Sequence, residues 1–295
     1  MSEMPELPTQ QGLICQGWNY TIEDAQEYVS EYGALEIGAN YITDDGKTRL
    51  YITIATEGRM KVPLCFSQTV ANGVTIDWGD GSATKTLSGV GAKSTSHEYK
   101  AIGSYVITLD VAEGCTLGLG GNSTSYCIMG KIGNVYIVYH NMLKKAEIGN
   151  NVTSIGSHAF VGCRSLSSVV IPQGVTSIEA NAFYSCSSLA SVVIPLGVTS
   201  IGSLAFASCS SLASVVIPRS VTSIGSNAFT SCYGVAFYDF TALDVVPSLS
   251  SANAFTNIPS DCKIAVPDSL YDEWIAATNW STYASNIIKA SEFNG

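Results

Sequence analysis

Two carboxylates, Asp77 and Asp80, stand in the run Val74-Thr-Ile-Asp-Trp78-Gly-Asp80-Gly81, and His97 follows in Ser96-His97-Glu98-Tyr99. A carboxylate pair can do general acid–base work when one member is kept protonated, and with further oxygen ligands it can hold a divalent cation. Here a third partner is wanting, because Glu98 is the only acid in the second motif. An Asp-Gly step is also turn chemistry, since an Asp side chain accepts backbone amides two residues on. The run therefore reads as an alternating strand that enters a turn, with Asp80 capping the turn and Asp77 on the solvent side. The chain has nine cysteines, and four of them (Cys163, Cys186, Cys209 and Cys232) recur at equal spacing. Zinc-binding cysteines come in Cys-x-x-Cys clusters, which are missing here, so the recurring thiols read as small buried filler. Of the others (Cys15, Cys65, Cys115, Cys127 and Cys262), only Cys115 and Cys127 lie close enough in sequence to suggest a local bridge. His97, His140 and His158 sit in no HExxH motif, and no nucleophile elbow, P-loop or dinucleotide fingerprint occurs. No catalytic, cofactor-binding or metal-ligating set is expected, and the chain reads as a non-enzyme.

The elements that place these residues are dominated by an internal repeat. The segment from Val152 to Pro172 recurs with starts at Val175, Val198 and Val221, and Phe160, Phe183, Phe206 and Phe229 mark the 23-residue period. Leu143 and Ile148 fall one period before Leu166 and Ile171, so residues 129–151 read as a degenerate first copy with His140 in the cysteine slot. In each copy Leu-x-x-Val-x-Ile alternates as a strand does, and Pro172, Pro195 and Pro218 stop it. Val-Thr-Ser-Ile-Gly supplies a second short extended piece, and Asn181 to Cys186 suits one helical turn. A single coil cannot bury its own apolar side, whereas stacked coils bury it as continuous ladders. The motif Ile-Gly-x-x-Ala-Phe-x-x-Cys-x-x-Leu-x-x-Val-x-Ile-Pro resembles the BspA-like leucine-rich repeat of surface proteins of gut and oral bacteria, over about residues 129–267. The resemblance implies adhesion or ligand binding through the solenoid surface, without naming one ligand.

The outward positions of the repeat strands are Ser168, Val170, Ser191, Val193, Ser214 and Val216, and these form the candidate binding face. They are small and uncharged, and between Val152 and Ser231 only Arg164, Glu179 and Arg219 carry formal charge. Such a face cannot steer a charged ligand, but it can lie against a protein or a glycan.

Solenoids need caps. After Cys232 the aromatic run Tyr233 to Phe240 replaces the regular strand. Asn253-Ala-Phe255 and Ile264-Ala-Val-Pro267 echo the repeat, and a helix with Asp268 or Ser269 as N-cap begins beyond Pro267. Leu270, Trp274 and Ala277 share one face of that helix, which should close the open end together with Trp280 and Tyr283.

Upstream, a helix is expected from the capping residue Thr21 to Gly33, followed by a hairpin around Asp44-Asp-Gly46 that joins Tyr41–Thr43 to Arg49–Ile54. Asp77, Trp78, Gly79, Asp80 and Gly81 together with His97, Tyr99, Gly103 and Tyr105 resemble the polycystic-kidney-disease (PKD) type β-sandwich domain. That resemblance implies Ig-like topology and an extracellular spacer or interaction module. The expected architecture is mainly β. It comprises a small N-terminal α/β segment (1–57), a PKD/Ig-like sandwich (58–128), the leucine-rich-repeat solenoid (129–267), and a capping helix and tail (268–295).

Charge and composition narrow the partners. The net charge of −10 and pI near 4.7 disfavour nucleic acid and anionic membrane. Only 13% of residues are charged, so Ser, Thr, Asn and Gly must keep the surface wet. No apolar run is long enough to span a bilayer. Met1 to Pro8 is acidic and proline-broken, and does not read as a signal peptide. The function expected is a non-enzymatic bacterial surface or extracellular adhesion protein with a protein or glycan ligand and no cofactor. The alternative is a receptor-binding or decoration component of a prophage-type particle.

Overall fold

A computed structural model describes residues 13–18, 39–43, 45–57, 60–120, 126–131 and 141–293. The expected helix from Thr21 to Gly33, and His140, lie outside the described residues. Strands β1 (Leu13–Trp18) and β2 (Ala39–Thr43) pair antiparallel with each other. The hairpin expected around Asp44-Asp-Gly46 does not form as read. Strand β3 (Thr48–Ile54) has both edges taken, by β8 (Gly103–Val111) on one side and β12 (Leu143–Glu147) on the other, which leaves no edge for β2.

The remaining strands upstream of the repeats are β4 (Lys61–Gln68), β5 (Val74–Asp77), β6 (Lys85–Thr86), β7 (Gly91–Glu98), β9 (Leu117–Gly118), β10 (Tyr126–Cys127) and β11 (Gly130–Lys131). They fall mainly into two sheets. One runs β3-β8-β5-β6 and the other β7-β4-β9, all antiparallel. Strand β3 buries alternate residues Leu50, Ile52 and Ile54, as a strand with one face on a core must. Those residues share a core with Val62, Leu64 and Phe66 of β4 and with Ile107 and Leu109 of β8. The first sheet crosses the boundary drawn at residue 57, since β3 pairs along its whole length with β8.

The repeats wind as three-sided coils. The first side carries β12, β14 (Ser168–Val170), β17 (Ser214–Val216), β19 (Phe237–Asp239), β21 (Lys263–Val266) and β22 (Ile287–Lys289). Its backbone bonds climb one coil at a time, from Ser167 to Lys144, Ala190 to Ser167, Ala213 to Ala190, Ala236 to Ala213 and Lys263 to Ala236. The second side carries β13 (Ser154–Ile155), β15 (Ser177–Ile178), β16 (Ser200–Ile201), β18 (Ser223–Ile224) and β20 (Ser248–Leu249), all parallel and in register. Thr176, Thr199 and Thr222 reinforce this ladder, each hydroxyl donating to a threonine carbonyl one coil back.

The third side carries the Ala-Phe element, and here the expectation of a helical turn is corrected. Residues 179–189 form successive tight turns closed by Ala182 to Glu179, Tyr184 to Asn181, Cys186 to Phe183 and Leu189 to Cys186. Two positions per coil take left-handed backbone, which a right-handed helix excludes. One is the slot of His158, Asn181, Leu204 and Asn227; the other is the slot of Gly162, Ser185, Ser208 and Ser231.

Inside, Phe160, Phe183, Phe206, Phe229 and Phe255 stack nearly parallel at 5.1 to 5.4 Å. The thiols of Cys186, Cys209 and Cys232 donate to the carbonyls of Phe160, Phe183 and Phe206 in the coil before, at 3.1 to 3.2 Å. Each buried thiol is thereby satisfied as well as packed.

Both open ends of the solenoid are covered. At the start, β12 pairs with β3, and Leu119 bridges to Ile155 of the second ladder. Each ladder therefore runs on into the upstream sheets, and neither presents a bare edge there. At the end, Trp280 donates to Pro247 O, Asn279 to Leu249 O, and the Tyr283 hydroxyl accepts from Phe255 N. The capping helix α1 (Tyr271–Ala276) buries Trp274 against Phe240 and Trp280. Neither expected N-cap serves it, because its cap residue is Leu270, without a side-chain bond. The Asp268 carboxylate instead accepts from the amide and hydroxyl of Ser291. Strand β22, which extends the first ladder by one more step, carries no repeat signature in the sequence. Among the described residues no helix is long and apolar enough to cross a membrane.

Candidate binding surface

The acidic motif does not build a two-carboxylate site. Asp77 Oδ1 accepts the amide of Gly79, and Asp80 Oδ1 accepts the amide of Ser82 at 3.0 Å. Asp80 Oδ2 lies 2.7 Å from His97 Nε2, and the His97 ring stacks on Trp78. Partial burial pushes the Asp80 carboxyl up, but the Ser82 hydroxyl and amide and the His97 ring outweigh it and bring it to about 2. Tyr99, whose hydroxyl donates to Trp78 O, is pushed well up by burial. These groups fasten a turn to the neighbouring strand. Among the described residues no set of three or more His, Cys, Asp or Glu is placed to hold a metal ion.

The six face residues are brought together. Val169 and Val215 point into the core, so Ser168, Val170, Ser214 and Val216 point out. Ser191 and Val193 take the same step in the third coil, held by the Ala190 and Ala213 amides of the backbone ladder. Two rows result, one of Ser168, Ser191 and Ser214 and one of Val170, Val193 and Val216. With parallel coils each row advances about 4.8 Å per residue, so the patch is regular.

The registers extend these rows beyond what the sequence offered. Upstream, Lys145 stands beside Ser168 and Tyr51, and Glu147 beside Val170 and Arg49. The Lys145 ammonium lies 2.8 Å from Glu147 and 5.1 Å from the Tyr51 ring centre. Burial and the Glu147 carboxylate push the Tyr51 phenol up to about 12. Arg49 pairs with Asp45. Downstream, Phe237 continues the serine row and Asp239 the valine row. Phe237 packs on Phe293, and Asp239 accepts from the amide and hydroxyl of Thr241. The neutral Ser/Val patch is thus bordered on both sides by charged and aromatic groups. Val193 and Val216 also line a depression with Leu196, Pro218 and Asp239. Tyr51 and Arg49 escaped the sequence reading because their alternation was legible but their pairing with a strand about a hundred residues later was not.

Comparison with known proteins bears on this architecture. Residues 131–260 match, in six copies, the family described as BspA type leucine rich repeat region. Among solved structures the chain is similar to a leucine-rich repeat protein from Bacteroides ovatus, at 29% identity over 43% of this chain and 34% of that one, with a TM-score of 0.35. It is similar to the T. pallidum leucine rich repeat protein at 30% identity, over 44% of this chain and 68% of that one, with a TM-score of 0.32. A leucine rich cell surface protein from Faecalibacterium prausnitzii matches at 23% identity over 52% of this chain and 61% of that one, with a TM-score of 0.22. The chain spans about a third of the length of the Bacteroides ovatus protein. No curated protein matches it.

Proposed function

Because the chain belongs to the BspA-type leucine-rich-repeat family, we propose that it is a bacterial surface or extracellular protein that binds rather than catalyses. It takes a protein or a glycan on the solvent side of its first strand ladder. The observation that supports this reading is the in-register double row of Ser168, Ser191, Ser214 and Val170, Val193, Val216. A regular patch with no charge of its own makes contact by shape, apolar burial and hydroxyl hydrogen bonds, which suits a neutral sugar or an uncharged protein surface. The border of Tyr51, Lys145 and Glu147 supplies the polar rim that such a contact needs. Upstream, the Asp80–His97–Trp78 motif and the paired sheets support a PKD-type module that acts as a spacer carrying the solenoid.

Location tests the reading. Antiserum against the full chain is applied to intact cells, culture medium and induced-particle fractions of the source bacterium. Signal on intact cells or in the medium is expected. Signal confined to particle fractions after induction would replace this reading with the prophage-component one.

A further inference from the structure

The cysteine ladder has a second end that the repeat does not explain. Cys186, Cys209 and Cys232 each donate to a phenylalanine carbonyl one coil back. Cys163 opens the series, and among the described residues its sulfur meets another sulfur, that of Cys127, at 3.8 Å. The chain separation is 36 residues rather than the repeat's 23, so Cys127 reaches the slot from outside the repeat series. It lies on β10, next to Ile128, whose carbonyl accepts the amide of Cys65 in β4 and whose amide donates to Ala159 in the first regular coil. Cys115, the partner suggested by sequence, has its sulfur against Gly73 and Thr116 instead. Both sulfurs of the facing pair are fully buried in apolar surroundings. A thiol pair there makes one weak contact, while a covalent bond needs the sulfurs to close by less than about 2 Å.

We propose that Cys127 and Cys163 form a disulfide that fastens the upstream sheets to the first coil of the solenoid. This holds whatever the strand face binds. The bond forms by thiol–disulfide exchange with a disulfide oxidant such as glutathione disulfide or an oxidised thiol oxidoreductase. The oxidant's S–S bond breaks, one S–S bond forms in the chain, and two thiols leave, so electrons and protons balance. Because the folded pair is out of reach of solvent, exchange takes place while the first coil closes, and the finished bond then resists soluble reductants.

The full chain is refolded in a mixture of reduced and oxidised glutathione, alkylated, and digested with trypsin without reduction. The expected product joins the peptide ending at Lys131 to the peptide ending at Arg164, with fragmentation placing the bond on Cys127. It is absent from Cys127→Ser and retained in Cys115→Ser. The oxidised wild type should melt roughly 5–10 °C above its reduced form. Mapping on the wild-type chain does not depend on any variant folding. Recovery of every cysteine alkylated, or a bond mapped to another pair such as Cys163–Cys186, would overturn the assignment.

Discussion

Leu204 occupies a left-handed backbone position at φ 58°, in the slot that Asn181 and Asn227 fill in the flanking coils. Asparagine tolerates that region because its short side chain bonds locally, whereas leucine is strained there. Leu204→Asn is therefore expected to raise stability by about 0.5–1 kcal/mol, read as a higher urea midpoint. The loss of some half-buried apolar surface limits the gain. Asp80 gives a second residue-scale expectation. Its carboxyl is held at about 2 in the fold, below the ordinary aspartate value of 3.8. A depressed carboxyl stabilises the folded state fully above the unfolded value and loses that contribution as pH falls through the folded one. Acid should thus weaken the region upstream of the repeats between about pH 4 and pH 2. Asp80→Asn should flatten that limb of the thermal-stability profile, and an unchanged limb would place the acid sensitivity elsewhere. At this scale the sequence was informative about type and less so about role. The turn function of Asp80 followed from the Asp-Gly chemistry, whereas Asp77, read as a solvent-side strand residue, also accepts a turn amide; the left-handed slots were not legible, because Ser, Leu and His share them with Asn and Gly.

At the scale of the coil, Gly202 lies against the backbone of the coil before with no room for a side chain. A methyl group on Gly202 would come within 2.5 Å of the backbone of Glu179 and Ala180 in the coil before. Gly202→Ala should cost about 1–3 kcal/mol through overpacking, seen as a lower urea midpoint, whereas the exposed Ser188→Ala should change little. The periodic elements were legible because each repeats its own evidence, with Phe, Cys, Leu and Ile recurring in step. Elements that depend on distant partners were not. β3 read as half of a local hairpin because the Asp-Gly turn signal is local, while its true neighbours β8 and β12 lie far along the chain. β22 was missed because a terminal coil must change its residues to meet solvent on one side, which erases the repeat signature.

At the scale of the whole molecule, the solenoid is closed at one end by the upstream sheets and at the other by an aromatic lid. Trp280 anchors that lid, meeting Phe240 edge-to-face and Phe255 at a tilt and donating its indole proton to Pro247 O at 2.8 Å. In a stack of coils each unit leans on its neighbours, so loss of the lid should open the last coil first. Trp280→Ala should cost about 3–5 kcal/mol, and hydrogen exchange should speed up at Leu249 and Phe255 before it does at Ile155. Uniform acceleration along the solenoid would contradict a local cap. The closed ends leave the outer faces of the ladders as the regular surfaces of the solenoid, and the proposed binding face is that of the first. The most direct test immobilises the full chain against an array of neutral glycans and extracellular-matrix proteins. It compares the wild type with a variant carrying Val170→Lys, Val193→Glu and Val216→Lys, whose alternating charges avoid self-repulsion. At least one wild-type ligand is expected, weakened by about 10-fold or more in the variant, with the melting temperature nearly unchanged. Equal binding by the two proteins would contradict the proposed face.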